Sequence, residues 1–349
     1  MANRLDIRAI LAQQNEIPLI DVRSEGEFAQ GHIPGAISLP LFNNAERAEI
    51  GTLYKQQGQQ PAILRGLGIV GPKMQQLAEA GLAHARDGRI AVHCWRGGMR
   101  SASVAWLFER VGLQVDTLIG GYKAFRRYCH ELFAAPWRMI VIGGKTGTRK
   151  TEVLHRAREL GIQIVDLEAY ANHRGSAFGS MSGLVPAVEN LLHGVRLDKN
   201  HQPTQEHFEN LLGYHLHQCD RQKPVLVEDE SRLIGRMHIP EAFWAQMRAA
   251  PVLVLDTPLE ERVRYLTQGY DFPKEKLRQS LTAIRKRLGD ERLGRAITAL
   301  DQGRLDEVCR IALDYYDRAY TFGLSKRDPS TLKVIAGKQA LEEILKLGR

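Results

Sequence analysis

The chain has 349 residues, more than one hydrophobic core usually organises, so about two domains are expected. It is 44% hydrophobic and 25% charged with a formal charge of +8, which is ordinary for a globular protein and, through the basic excess, favours a polyanionic partner. Four well-separated cysteines with no CxxC pair give neither a zinc set nor a disulfide framework, and no apolar run reaches the ~20 residues that span a bilayer. The charged start MANRLDIRAI is not a secretory signal, so a cytoplasmic location without a membrane partner is expected.

Ile7, Ile10 and Leu11 share one helical face, and residues 17–22 (IPLIDV) read as a short buried strand. Gly31, Pro34 and Gly35 then punctuate a turn before a second short strand at 36–39. A helical segment leads to the apolar strand ending at Cys94. After the following loop come a helix over 101–111 and a strand over 115–119. This alternation predicts a parallel sheet covered by helices, with ligands bound beyond the carboxyl ends of the strands, where Cys94 falls.

The loop itself is HCWRGGMRS, His93 to Ser101. Gly97 and Gly98 let the backbone curl until successive N–H groups point inward, and the helix start adds its dipole. Trp95, Arg96, Gly97, Gly98, Met99 and Arg100 are therefore read as an anion-binding loop around a nucleophilic Cys94. Donors and cations of this kind lower a thiol's pKa and give a thiolate at neutral pH. The plainer alternative is a buried structural cysteine ahead of an ordinary helix.

Around residue 134 the pattern changes, dividing the chain into 1–133 and 134–349. A strand from Trp137 runs into GGKTGTRKTEVL, the strand, glycine loop and helix context of a phosphate-binding P-loop. The stretch Gly144, Lys145, Thr146, Gly147, Thr148, Arg149, Lys150, Thr151 fits GxxxxGK[ST] except at its sixth place, where Arg149 replaces glycine. Lys150 would reach an outer phosphate, and Thr151 would bind magnesium if that ion takes part. Arg149 places a Cβ where unusual backbone angles are common, which puts ordinary ATP or GTP hydrolysis in doubt. A strand before Glu228, Asp229 and Glu230 and another at 251–256 complete a second parallel α/β unit with a charged helical tail. In the segment 167–180, His173, Arg174 and Ser176 are candidate contacts to phosphate or a base edge, as is Glu228 to the diphosphate region.

DVRSEGEFAQGHIPGAISLP, the cysteine loop and GGYKAFRR at 120–127 resemble the three fingerprints of a rhodanese domain. By that resemblance Asp21, Arg23, His32 and Gly35 are scaffold, and Cys94 carries sulfur or selenium. The same loop also fits HCxxGxxRS of cysteine phosphatases, so a phosphatase fused to a nucleotide-binding module is the alternative reading. A regulatory RNA-binding protein using both loops as anion cradles is a third.

Joined to a P-loop unit holding LEAYANHRGSAFG and VEDESRLIG, the rhodanese pattern resembles the tRNA 2-selenouridine synthase family over nearly the whole chain. The resemblance implies a transferase acting on the wobble uridine in the anticodon of tRNA, replacing the sulfur of 2-thiouridine with selenium. It implies the co-substrates selenophosphate and geranyl diphosphate, an S-geranyl intermediate, and no tightly bound cofactor. Cys94 is then expected to serve the selenium step and Gly144 to Thr151 to bind diphosphate or tRNA phosphates. Lys123, Arg126, Arg127, Arg285, Lys286 and Arg287 are candidate tRNA contacts, and Trp95 is a candidate stacking partner for the base.

Overall fold

The computed structural model describes residues 2–173, 202–268 and 274–347, so Arg174 and Ser176 lie outside the described residues. The chain divides into two compact units between Leu132 and Phe133 in sequence, with Glu209–Tyr214 clustering with the first.

In the first unit the strands are β1 (Asn3–Leu5), β2 (Leu19–Asp21), β3 (Ile37–Ser38), β4 (Arg89–His93) and β5 (Gln114–Leu118). All pair in parallel in the order β1-β5-β4-β2-β3. The chain leaves β2 toward β3 and leaves β4 toward β5. The gap between β2 and β4 is therefore a topological switch point, where a parallel sheet opens a crevice at its carboxyl end. Cys94 follows β4 directly.

Buried Ile20, Val22, Ile90 and Val92 form the centre of this core, packed against Val104, Leu107 and Phe108 of the helix Met99–Arg110. The helices Glu25–Gln30 and Asn44–Gln57 each begin with a capping box, through Ser24 with Glu27 and Asn43 with Glu46. Asp21 and Arg23, both fully buried, form an ion pair at 2.6 Å, and Arg23 also donates to the Gly31 carbonyl at 2.7 Å. These two residues tie β2 to the turn at Gly31, a structural task.

The second unit holds β6 (Met139–Gly144), β7 (Gln163–Val165), β8 (Val225–Glu228), the short hairpin β9 (Leu233–Ile234) with β10 (Met237–His238), β11 (Val252–Asp256) and β12 (Leu332–Ala336). The five-stranded sheet is parallel, in the order β12-β11-β6-β8-β7. Its switch point lies between β6 and β11, and the glycine loop starts at the end of β6. The helical tail thus carries one strand, β12, which joins the sheet edge beside β11. The fold is two parallel-sheet α/β units, as the alternation of elements implied.

Candidate active sites

Cys94 is only 3% exposed, yet its surroundings are not purely apolar. Burial works to raise the thiol's pKa, but the Ser101 hydroxyl and the backbone N–H groups of Ser101, Arg96 and Gly98 donate to the sulfur and outweigh it. The net result lies below the ordinary thiol value. The Ser101 oxygen stands 3.3 Å from Sγ and 3.1 Å from the Gly98 carbonyl. Its single hydrogen serves the carbonyl when the sulfur is a thiol and the sulfur when it is a thiolate.

The loop's shape rests on two facing glycines. Gly97 has φ +65°, and a Cβ there would lie 2.6 Å from the Leu118 carbonyl oxygen. Gly121 has φ +58°, and a Cβ there would lie 2.3 Å from the Cys94 carbonyl oxygen and 2.5 Å from the Gly97 nitrogen. The motif GGYKAFRR is therefore the wall against which the cysteine loop folds. The Tyr122 and Lys123 N–H groups fasten it by donating to the Cys94 and Trp95 carbonyls, at 2.8 and 3.0 Å.

The remaining loop residues differ in what they offer. Arg96, Gly98 and Met99 are exposed. Trp95 is half-buried, its ring 5.5 Å from that of Tyr122 and facing the Arg23 guanidinium. Arg100 donates to the Glu27 carboxylate at 2.8 Å, so its charge is shared with an acid. His93 is fully buried, and burial holds its pKa below the ordinary imidazole value despite Asp21 at 3.6 Å. It is a neutral packing residue.

In the second unit Gly144 donates its N–H to the Tyr320 hydroxyl at 2.7 Å, fixing the loop's entry. Buried Thr148 closes the turn by donating its hydroxyl to the Lys145 carbonyl at 2.9 Å. Arg149 has φ +64° and ψ +33°, the left-handed region that costs a side-chain-bearing residue ~1–2 kcal/mol. Its guanidinium lies 4.6 Å from the Tyr265 ring centroid and 3.8 Å from Glu152. The helix Lys150–Glu159 then begins without a side-chain cap, leaving its first amides to meet an anion. Lys150 rests with Nζ 3.1 Å from the Gly144 carbonyl oxygen. Lys145 stands 3.9 Å from Asp317, and Thr146 gives its carbonyl to Arg262 at 3.2 Å. Gly147 packs against Leu266.

Beside Lys150, carboxylate oxygens of Glu168, Glu228 and Glu230 lie within 4.8 Å of one another. Glu228, at the end of β8, is 2% exposed, accepts from Thr151, and has Oε1 without a hydrogen-bond partner. Burial, followed by repulsion from neighbouring carboxylates, pushes Glu168 and Glu230 above the carboxylate range, with Lys150 opposing. Glu228 is raised as well, again by burial first. An oxygen-only donor set with an orphaned buried oxygen and a hydroxyl at the phosphate loop fits a hard divalent cation such as magnesium. The sequence pointed to Thr151 and to the acidic run Glu228, Asp229 and Glu230, of which Glu228 and Glu230 join this cluster. It did not assign Glu168, which sat unrecognised inside the segment 167–180.

His173 is half-buried, with burial holding its pKa low, and its N–H donates to the Glu168 carbonyl at 3.0 Å. Among the proposed tRNA contacts, Lys123, Arg127, Lys286 and Arg287 are exposed. Arg126 instead donates to Asn210 at 2.7 Å and pairs with Glu209, and Arg285 pairs with Asp290 at 2.6 Å. Arg126 is thus engaged in an internal pair, a partner 84 residues away that local reading does not reveal.

Residues 6–128 match the rhodanese-like domain, and residues 137–191 and 193–346 match the tRNA 2-selenouridine synthase AAA domain. The chain belongs to the tRNA 2-selenouridine synthase family. A tRNA 2-selenouridine synthase of Ectopseudomonas mendocina is 34% identical over 95% of this chain and 93% of its own length. Those of Shewanella woodyi and Bdellovibrio bacteriovorus are each 35% identical, covering 89% and 92% of both chains respectively. Family membership covers both units together, so the phosphatase framing of the cysteine loop has no counterpart in the rest of the chain.

Proposed function

We propose that the protein converts wobble 2-thiouridine of tRNA to 2-selenouridine in two displacements, each served by one of the anion-binding loops. In the first, the thiocarbonyl sulfur attacks the C1 carbon of geranyl diphosphate. The carbon–oxygen bond breaks, pyrophosphate leaves with the electron pair, and the base loses its N3 proton. Charge develops on the departing phosphate oxygens, and amides of the loop with Lys150 and Arg149 are suited to receive it. Thr151, Glu168, Glu228 and Glu230 would hold magnesium, which would neutralise that charge further.

Alkylation changes a poor leaving group into a good one and makes the ring carbon electrophilic. The selenium of selenophosphate adds to the ring carbon, and the geranyl thiolate departs with its electron pair and is protonated, leaving selenium bonded to both carbon and phosphorus. The Cys94 thiolate then attacks phosphorus, the phosphorus–selenium bond breaks, and selenium keeps the electron pair and stays on the base. Water hydrolyses the resulting phosphorus–sulfur bond, releasing phosphate and restoring the Cys94 thiol. No group changes oxidation state, and the base regains its N3 proton.

The observation that carries this reading is that the two loops, both built to meet negative charge, hold different groups. One surrounds a thiol with donors that favour the thiolate, and the other joins a glycine loop to a lysine and an uncapped helix start. Incubating the purified protein with 2-thiouridine tRNA tests it. With geranyl diphosphate alone the wobble nucleoside should gain the mass of a geranyl group, and with selenophosphate added it should gain that of selenium in place of sulfur. Selenation with no dependence on geranyl diphosphate would overturn the two-step order.

A further inference from the structure

Five residues separate Cys94 from Arg100, so the loop can close around a tetrahedral phosphoryl group. The N–H groups of Arg96, Gly98 and Ser101 converge on Sγ at its floor. Amides so placed also suit the oxygens on phosphorus, where charge grows as a fifth bond forms. Ser101, 2% exposed, keeps its hydroxyl 3.3 Å from Sγ and is placed to donate to the thiolate whenever that sulfur leaves phosphorus.

Proton supply is another matter. A carboxylate and an imidazole contact the loop, and neither is in its acid form. Glu27 Oε2 accepts from Arg100 at 2.8 Å and from the Ser24 N–H at 3.2 Å, with Arg47 at 3.7 Å. Burial works to raise its pKa, but Arg100, then the Ser24 amide and Arg47, hold it below the usual carboxylate range. His93, whose Nδ1 lies 3.4 Å from the Cys94 carbonyl oxygen, is fully buried and neutral. Such a loop suits a leaving group that departs without a proton.

We propose that this loop, with no RNA bound, hydrolyses phosphorus–selenium and phosphorus–sulfur bonds in small phosphorochalcogenates, inorganic selenophosphate and thiophosphate among them. The inference rests on the reading in which Cys94 attacks phosphorus, and it adds a second activity and the rule that selects its substrates. The Cys94 thiolate attacks phosphorus, the phosphorus–selenium bond breaks, and selenium leaves with the electron pair as the hydrogen selenide ion. Water then attacks the phosphorus of the S-phosphocysteine, the phosphorus–sulfur bond breaks, and the thiolate returns with its electron pair. One water proton stays on the phosphate and the other is released; nothing is oxidised or reduced. Hydrogen selenide and hydrogen sulfide are far stronger acids than an alcohol, so their anions leave unaided, whereas an alkoxide needs a proton as it departs. The HCxxGxxRS spacing thus carries phosphoryl chemistry with a restricted choice of leaving group.

The test incubates the full chain, without tRNA, with thiophosphate, selenophosphate or methyl phosphate, each against a blank lacking protein. Sulfide and selenide should appear at least ~10-fold faster than in the blank, and methyl phosphate should be cleaved at least ~100-fold more slowly than thiophosphate, the contribution a general acid makes. Acid-quenched samples should carry a phosphoryl group on the Cys94 peptide. Once substrate is removed, that group should be lost about tenfold more slowly in Ser101→Ala, because the departing thiolate has lost a donor. Release that survives Cys94→Ser, a Cys94 peptide without phosphate in both the unaltered chain and Ser101→Ala, or methyl phosphate cleaved as fast as thiophosphate would overturn the proposal. The comparison of leaving groups needs no variant, so it holds whether or not a substitution disturbs folding. No release above the blank, from a chain that still turns geranylated tRNA into 2-selenouridine, would overturn the hydrolase and leave the main reaction standing. A chain that does neither would overturn the assignment of Cys94 to phosphorus and this inference with it.

Discussion

Burial acts in the same sense at Cys94 and at Glu228, favouring the protonated form, yet the two groups end on opposite sides of their ordinary values. Around Cys94 the neighbours are donors: a hydroxyl and three backbone N–H groups, which stabilise negative charge without adding any of their own. Around Glu228 the neighbours include Asp166, Glu168 and Glu230, and only Lys150, the Thr151 hydroxyl and His155 oppose them. One site favours an anion; the other holds an unmet demand for a cation. The partners, rather than the depth of burial, set the chemistry.

The contrast can be broken at its backbone first. Gly121→Ala forces a Cβ against the Cys94 carbonyl at a positive φ, and should cost about 3 kcal/mol or more in denaturant unfolding of the first unit. A loss below ~0.5 kcal/mol would show that the nest does not depend on that close approach. Stability of the second unit is the next lever. Glu230 has its pKa raised in the fold to about 8, so its protonated form stabilises the folded state. That contribution is complete below the unfolded value near 4.5 and is lost as pH rises through about 8. Glu230→Gln should therefore raise stability at pH 8 by on the order of 1 kcal/mol and flatten the decline, and magnesium added to the unaltered chain should do likewise. A stability that instead increases from pH 5 to 8 would contradict the crowded-carboxylate account.

Ser101→Ala probes the other half of the contrast. It removes a donor to the sulfur, raises the thiol's pKa, and should slow iodoacetamide alkylation of Cys94 at pH 7 about tenfold, since one hydrogen bond to a charged group is worth ~1.5 kcal/mol. The rate-against-pH curve should move to higher pH, and an unmoved curve would remove Ser101 from the account. The smallest effect is expected at Arg149. Replacing it with glycine relieves the left-handed backbone but gives up the contacts to Tyr265 and Glu152. Stability should change by less than ~1 kcal/mol, while pyrophosphate affinity falls severalfold because a cation is lost.

Much of the cysteine site was legible because it is local. Nest and thiol lie in one nine-residue string, and the parallel strands around it carry continuous apolar runs; the donation of Ser101 to the sulfur, at the end of the same string, was not read from it. Arg149 could be singled out for the same reason: the loop pattern specifies which position demands unusual backbone angles, and Arg149 stands there at φ +64°. What escaped the sequence was assembled at long range. Glu168 meets Glu228 because β7 lies beside β8, and nothing in LEAYANHRGSAFG indicates that pairing. Arg262 reaches the Thr146 carbonyl across 116 residues of sequence and is itself held by Asp317. Strands β1, β7 and β12 were missed at the sheet edges, where short or half-exposed runs leave little to detect, and the two-residue strands of the β9–β10 hairpin are too short to show a period.

The most direct test of the two-loop division of labour is to follow the wobble nucleoside by mass spectrometry with Cys94→Ser and Lys150→Ala, each given 2-thiouridine tRNA, geranyl diphosphate and selenophosphate. Cys94→Ser should accumulate tRNA whose selenium stays bonded to both carbon and phosphorus. Lys150→Ala should leave 2-thiouridine untouched yet selenate tRNA that was geranylated beforehand. If Lys150→Ala instead geranylates normally and fails only at selenation, the loops have been assigned to the wrong steps.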